Sequence, residues 1–193
     1  MNPSSRRSRR ARFPSLLLGL CCLLLASSAT VADAAEMMFG PHDIETLFYI
    51  AKSDNRDRVD YGMRLDGMCR PVGEDAVFPY WRNLEHTPVT RHALGFLARM
   101  AYGVSYQETA RTTSSGADHG LRLKQVDRTI WVTTSRAADG RCTALVRSNI
   151  GGVENAELLS IYVKLGGPLS VDYVDVKGRD LATGQALFER MKH

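Results

Sequence analysis

A chain of 193 residues with 25 Lys and Arg against 21 Asp and Glu looks mildly basic. Five of those arginines but only one acid, Asp33, fall in the first 34 residues, so the remainder holds twenty of each sign and is neutral. That excludes the basic surplus on which binding to nucleic acid or an anionic membrane would rest, and the roughly 159 residues beyond position 34 suit one domain with a single core.

The N-terminus carries Arg6, Arg7, Arg9, Arg10 and Arg12, then an apolar run over residues 13–26, then small residues ending in Ala32-Asp33-Ala34. Positive, apolar and A-x-A in that order predict a secretory signal peptide over residues 1–34, cut after Ala34 or, alternatively, after Ala32 or Ala35. The apolar run is about 14 residues long, short of the roughly 20 that cross a bilayer. Cleavage is expected rather than an uncleaved anchor, leaving no stable membrane span. A mitochondrial transit peptide would be amphipathic rather than uniformly apolar. Ser8-Arg9-Arg10 matches a twin-arginine signal only in part, since Phe13 falls one position late. Leu20 stands before Cys21 where a lipoprotein signal wants a small residue. The expected location is the periplasm or the exterior of the cell.

A polar lead-in is expected over residues 35–45, and a single domain over 46–193. Leu47-Phe48-Tyr49-Ile50-Ala51 reads as a strand, stopped by a turn at Ser53-Asp54-Asn55. Val59, Tyr61, Met63 and Leu65 alternate with Asp60, Gly62, Arg64 and Asp66, the period of a strand with one buried face. Gly67 and Pro71 bracket a turn that holds Cys69. Residues 77–82 form a third strand, which Pro79 assigns to an edge or a bulge. One helix is expected near residues 91–101, with Thr90 as its N-cap and Leu94, Leu97, Met100 and Ala101 as a buried stripe.

After the helix the pattern is β. Strands are expected over 104–109, 119–126, 129–134, 142–148, 159–165 and 169–173. Asp127-Arg128 and Asp139-Gly140 make turns, and Gly166-Gly167-Pro168 breaks the chain. Residues 111–118 are expected to be a mobile loop. At the C-terminus a turn at Thr183-Gly184 and a last strand over 185–190 are favoured over a short amphipathic helix. The total is nine or ten short strands and one main helix. The expected class is mainly β with one helix (α+β), as an antiparallel β sandwich or a partly closed barrel. Cys69 and Cys142 are the only cysteines past the signal. They are not spaced as a metal knuckle or a C-x-x-C, which leaves a disulfide or two separately buried thiols.

Tyr49-Ile50-Ala51-Lys52-Ser53-Asp54-Asn55, Trp81-Arg82, Ala101-Tyr102-Gly103, Tyr173-Val174-Asp175-Val176, Gly178-Arg179-Asp180 and Thr183-Gly184 form a series. From about residue 46 to the end it resembles an uncharacterised bacterial family of exported proteins, catalogued only as a domain of unknown function. The resemblance implies a secreted bacterial origin and one conserved domain, and it brings no activity, ligand or catalytic residue.

The residues carry no G-x-S-x-G elbow and no phosphate-binding Gly-rich loop. Gly151-Gly152 and Gly166-Gly167 read as turns. The five histidines, His42, His86, His92, His119 and His193, form no close metal pair, so neither a metal nor a cofactor is expected. Ser53-Asp54-Asn55-Arg56-Asp57-Arg58 is the densest polar cluster. It reads either as a hydrogen-bonded turn or as a grip for a carboxylate, phosphate or sugar. The candidate ligand residues are Ser53, Asn55, Arg56, Trp81 and Arg82. Phe78, Tyr80 and Trp81 supply an aromatic surface that suits a core or a ligand platform. The first expectation for function is a non-catalytic exported domain that binds an envelope ligand or protein. The alternatives are an envelope-polymer hydrolase using Asp118, His119 or Asp54, and a structural assembly partner.

Overall fold

The computed structural model describes residues 38–192 except 54, 74, 114, 115, 124, 125, 127, 168 and 169, and gives the backbone alone at 106–113, 116, 117 and 167. The expected signal segment lies outside the described residues. Eleven strands and one helix follow in order: β1 (Ile44–Lys52), β2 (Arg58–Met63), β3 (Val77–Asn83), β4 (Thr90–Ala93), α1 (Phe96–Tyr102), β5 (Val104–Thr113), β6 (Gly116–Leu123), β7 (Thr129–Arg136), β8 (Cys142–Ile150), β9 (Val153–Gly167), β10 (Ser170–Arg179) and β11 (Ala186–Lys192).

Strand β9 organises the sheet. Its residues 153–157 pair with β8, and its residues 160–163 pair with β1. β10 runs along the opposite edge of β9, and β11 pairs with β10. Two wings, β1 to β4 and β5 to β8, therefore leave the same edge of one strand, and the sheet does not close. The pairing is antiparallel except between β1 and β9, which run parallel from Tyr49 opposite Ser160 to Lys52 opposite Val163. A parallel pair needs a long connection, and here seven strands intervene.

The core draws on both wings. Period-two alternation in β2 buries Val59, Tyr61 and Met63, and these cluster with Phe48 and Ile50 of β1, Leu121 of β6, and Ile130 and Val132 of β7. The Phe48 and Tyr61 rings stack with centroids 4.4 Å apart. Each fully buried aliphatic side chain here stabilises the fold by roughly 1.5–3 kcal/mol relative to exposure. Cys69, between β2 and β3, is bonded to Cys142 at the start of β8, with Cα atoms 5.3 Å apart. The bond ties the first wing to the second. The lead-in is bound to the domain as well. Asp43 accepts the Leu65 N–H at 3.0 Å, and Phe39 lies against Phe78 and Tyr80.

The helix departs from expectation. Residues 90–93 extend as β4 and pair with β3, from Asn83 opposite Thr90 to Tyr80 opposite Ala93. The helix starts only at Phe96, after Gly95, which offers no side-chain cap. Leu94 is buried, but Leu97 and Met100 are 78% and 54% exposed. The short helix is turned so that Ala98 and Tyr102 face the core instead, and the Tyr102 carbonyl accepts the Tyr61 hydroxyl at 2.9 Å. The open edge of β3 supplies ladder hydrogen bonds that a helix beginning at Thr90 would forfeit. The expected loop over 111–118 is also corrected at the residues described: 111–113 of β5 pair with 116–118 of β6, from Arg111 opposite Asp118 to Thr113 opposite Gly116, and threonine favours a pleated backbone over a loose loop; residues 114 and 115 lie outside the described residues. Pro79 faces Tyr61 of β2 but lies beyond the β4 ladder, so β3 is an edge at that residue.

Two sites depend on glycine. Gly151 and Gly152, at φ 58° and 83°, turn the β8–β9 hairpin, because a two-residue turn of this hand needs positive φ at both positions. Gly178 sits at a register shift in β10. A Cβ there would fall on the Glu157 carbonyl oxygen and on Ile150 Cδ1. Neither β9 backbone nor a core isoleucine can yield cheaply, so Gly178→Ala should cost about 1–3 kcal/mol, as over-packing does. Thermal unfolding of the variant checks this, and an unchanged midpoint would refute the close approach.

Candidate ligand-binding site

The expected turn residues are held by the fold. Ser53 is buried; its N–H donates to Val163 O at 2.9 Å and its hydroxyl accepts the Leu165 N–H at 3.0 Å, sealing β1 to β9. Asn55 Oδ1 accepts the Asp57 N–H at 2.8 Å, and Asp57 Oδ1 accepts the Leu84 N–H at 2.8 Å. Arg56 is exposed, and Asp54 lies outside the described residues. Trp81 and Arg82 are successive in β3 and so project to opposite faces. Trp81, opposite Val59, meets Tyr102 edge-on at 5.9 Å and lies under Lys52 Nζ. Arg82 points to the outer face with Phe78 and Tyr80. The structure therefore does not bring Trp81 and Arg82 together into one wall.

Arg82 belongs instead to a chain of charges around Asp60, which is fully buried. Asp60 accepts Thr46 Oγ1 at 2.8 Å and Arg58 Nε at 2.7 Å. Arg82 Nε lies 2.8 Å from its Oδ2, an ion pair set off the angle of a hydrogen bond. Arg82 also donates to the Tyr80 hydroxyl at 2.9 Å and pairs with Glu45, which holds Arg91 at 2.9 Å. Burial works against the Arg82 charge, but Tyr80, Asp60 and Glu45 outweigh it and hold its pKa above the ordinary value. Three arginines thus share two carboxylates, and the guanidinium of Arg82 is already committed.

Asp118, the other described carboxylate considered from sequence, is also engaged, and so is Asp175. Asp118 takes Arg147 Nη2 at 2.6 Å and bonds Thr133 Oγ1. His119, the next residue, pairs across to Val132 and projects to the other face, so the two side chains do not work together. Asp175 holds Arg190 through two bonds of 2.6 and 2.8 Å, and these keep its carboxyl below the usual range. Among the described residues no group of three or more His, Cys, Asp or Glu could hold a metal ion.

A cleft of about 410 Å³ opens between the start of β7, the β8–β9 hairpin and β11. Trp131, half-buried, lines it together with Thr129, Ser148, Asn149 and Gly152. Arg128 and Glu189 face each other across it, Nη2 to Oε1 at 2.6 Å. Arg128 Nη1 also donates to Asn149 O, and Glu189 Oε2 accepts the Gly151 N–H at 2.9 Å. Burial pushes the Glu189 carboxyl up, but Arg128 and that N–H together outweigh it and hold it below its ordinary value. Such a carboxylate contributes stability above its unfolded pKa and loses it as pH falls through the lowered folded value. Ser148 donates its hydroxyl to Thr129 O at 2.9 Å, and Asn149 Oδ1 accepts the Asn155 N–H at 3.1 Å. Sequence reading passed over these residues except as strand and turn positions. They come from segments near 130, 150 and 189, and no local spacing links them.

The molecule is thus a mostly β domain built on one open sheet, with a polar cleft beside its shared strand. The chain belongs to the family described as a domain of unknown function, DUF4833, whose model matches residues 48–190. That span takes in the disulfide and the cleft. No curated protein and no solved structure matches the chain.

Proposed function

We propose that this chain is an exported, non-catalytic binding module of bacterial origin whose ligand occupies the cleft lined by Trp131, Arg128 and Glu189. The cleft itself carries the reading: about 410 Å³, lined by one tryptophan and several polar residues, within the range that small-molecule sites occupy. A hydrolase is less well supported. Glu189 is the one carboxylate in the lining and it is bound to Arg128, whereas glycoside hydrolysis uses two carboxyl groups flanking the bond. Ser148 gives its proton to a backbone carbonyl rather than to a base, so nothing activates it. Export is supported by the three-part N-terminal pattern and by the Cys69–Cys142 bond, which suits an oxidising compartment. The two wings are read as the layers of a sandwich meeting at β9. Among the described residues no helix is long and apolar enough to cross a membrane. A second reading, assembly with a protein, rests on Phe96, Leu97 and Met100 standing exposed together on α1.

The test is a small-molecule screen against the full chain carrying Trp81→Phe, so that Trp131 is the single tryptophan reporting. Compounds should change its fluorescence and raise the melting temperature, and Trp131→Ala should abolish the temperature shift measured against that variant's own baseline. Hits that shift the melting temperature equally in Trp131→Ala would place the ligand elsewhere. Recovery of the chain from the cytoplasm with both cysteines as thiols would overturn the export reading.

A further inference from the structure

We propose that β9, β10 and β11 dock on an anionic lipid surface, through the face opposite to the one that carries Glu189. The neutral total of the chain beyond residue 34 conceals a local surplus on this face. Phe188 and Arg190 flank Glu189 in β11 and so project away from it. The ladders put Arg190 opposite Asp175, Phe188 opposite Lys177, and both Lys164 and Lys192 opposite Tyr173, and residues directly opposite share a face. The other side of β10 holds Val174 and Val176 in the core. Four cations thus meet two carboxylates, Asp175 and, at the register shift beside Tyr173, Asp172, which leaves a net charge of 4 − 2 = +2. Asp175 is spent on Arg190 through two hydrogen bonds, and Glu157 nearby is likewise held by Arg179. The three lysines therefore carry the surplus.

Exposed apolar side chains stand among these cations. Phe188 is 53% exposed, and Leu159, at the register shift beside Ser160, is 43% exposed. Leu158 is buried in the core, which turns its neighbour Leu159 outward. Ser160 lies opposite Lys177, which lies opposite Phe188, so the two apolar side chains belong to the strands on either side of Lys177. Arg190 Cζ lies 3.9 Å from the Tyr173 ring centroid and 5.7 Å from that of Phe188, and this holds a cation beside the exposed ring. Among the described strands β11 pairs only with β10, so the sheet ends there. A soluble acidic polymer would use the lysines but gain nothing from Phe188 and Leu159. A lipid surface uses both. Its anionic headgroups attract the lysines, and a phenylalanine and a leucine enter the boundary between headgroups and acyl chains. The flexible lysine stem lies along apolar surface while its charge stays in water, which suits that boundary.

The experiment adds vesicles of phosphatidylcholine and phosphatidylglycerol in equal parts to the full chain and measures binding by co-sedimentation. Residues 1–34 are common to every protein compared, so differences between variants report on the patch. Lys164→Gln, Lys177→Gln and Lys192→Gln together should weaken binding about a hundred-fold, since each lysine near such a surface is worth roughly ten-fold or somewhat less. Raised salt should narrow that difference, because exposed charges are screened. Phe188→Ser should weaken binding a few-fold with the lysines in place. Phe188→Trp places a reporter in the patch, and brominated lipid should quench the introduced indole, read against the unaltered chain. Unchanged affinity of the triple lysine variant would overturn the proposal. So would an introduced indole that bromolipid leaves unquenched while the chain binds the vesicles. Soluble polyglutamate that binds more tightly than the vesicles, with Phe188→Ser without effect, would identify an acidic chain as the occupant and overturn the lipid surface. None of these outcomes bears on the ligand of the cleft, which Trp131→Ala tests separately.

Discussion

Asp60→Ala should destabilise the domain by about 3–5 kcal/mol, the cost of removing one partner from a buried ion pair. Asp60 has no exposed surface, and Arg58 and Arg82 both lean on it from the same face of the sheet. Their side chains are only 23% and 18% exposed, so neither can turn fully to water once the carboxylate is gone. Thr46 loses its acceptor as well. Glu45 cannot make up the loss, because it already serves Arg82 and Arg91. Asp60→Asn keeps the shape and one oxygen and should cost less than Asp60→Ala. Urea unfolding reads the loss as a lower midpoint at constant slope. A loss below about 1 kcal/mol would mean that the arginines re-pair, and the network would then be a surface feature of little weight.

Removing the disulfide should cost about 4 kcal/mol. Cys69 and Cys142 are 73 residues apart in sequence, and closing a loop of that size strongly restricts the unfolded chain in the chain-entropy model. The local turn is held independently. Cys69 N–H donates to Asp66 O, and the Asp66 carboxylate accepts the N–H groups of Met68 and Arg70. The loss therefore falls on the tie between wings rather than on the turn. Cys69→Ala with Cys142→Ala, or the unaltered chain under reductant, should unfold at lower urea with a steeper slope, since the freed denatured chain exposes more surface. Equal stability with and without reductant would refute it.

Most strands were legible because alternation is a local property. Val59, Tyr61 and Met63 announce the core face whatever β2 pairs with, although Asp60 and Gly62 on its other face are buried too, and Thr183-Gly184 stops the chain before β11 on backbone grounds alone. The stretch from Thr90 to Met100 was not legible, because its apolar spacing fits a buried helix and the deciding fact is the open edge of β3. The parallel pairing of β1 with β9 has no local signature either. Nor does the cleft, whose residues look like ordinary turn and strand positions until three distant segments converge. Arg82 shows the converse limit. Its planar fork suggested a ligand, but Asp60, twenty-two residues earlier and across the ladder, already occupies it.

The shared strand also sets a timetable. β1 is made early, but the residues that seal it, up to the Leu165 N–H on Ser53, come 112 positions later. At translation rates of about 5–20 residues per second this gap lasts on the order of 5–20 s. Throughout that interval the first wing carries one bare edge, and the second wing, growing behind it, needs the same missing strand. Neither half can be finished alone, so a chain cut short before residue 153 loses the seam of both wings together.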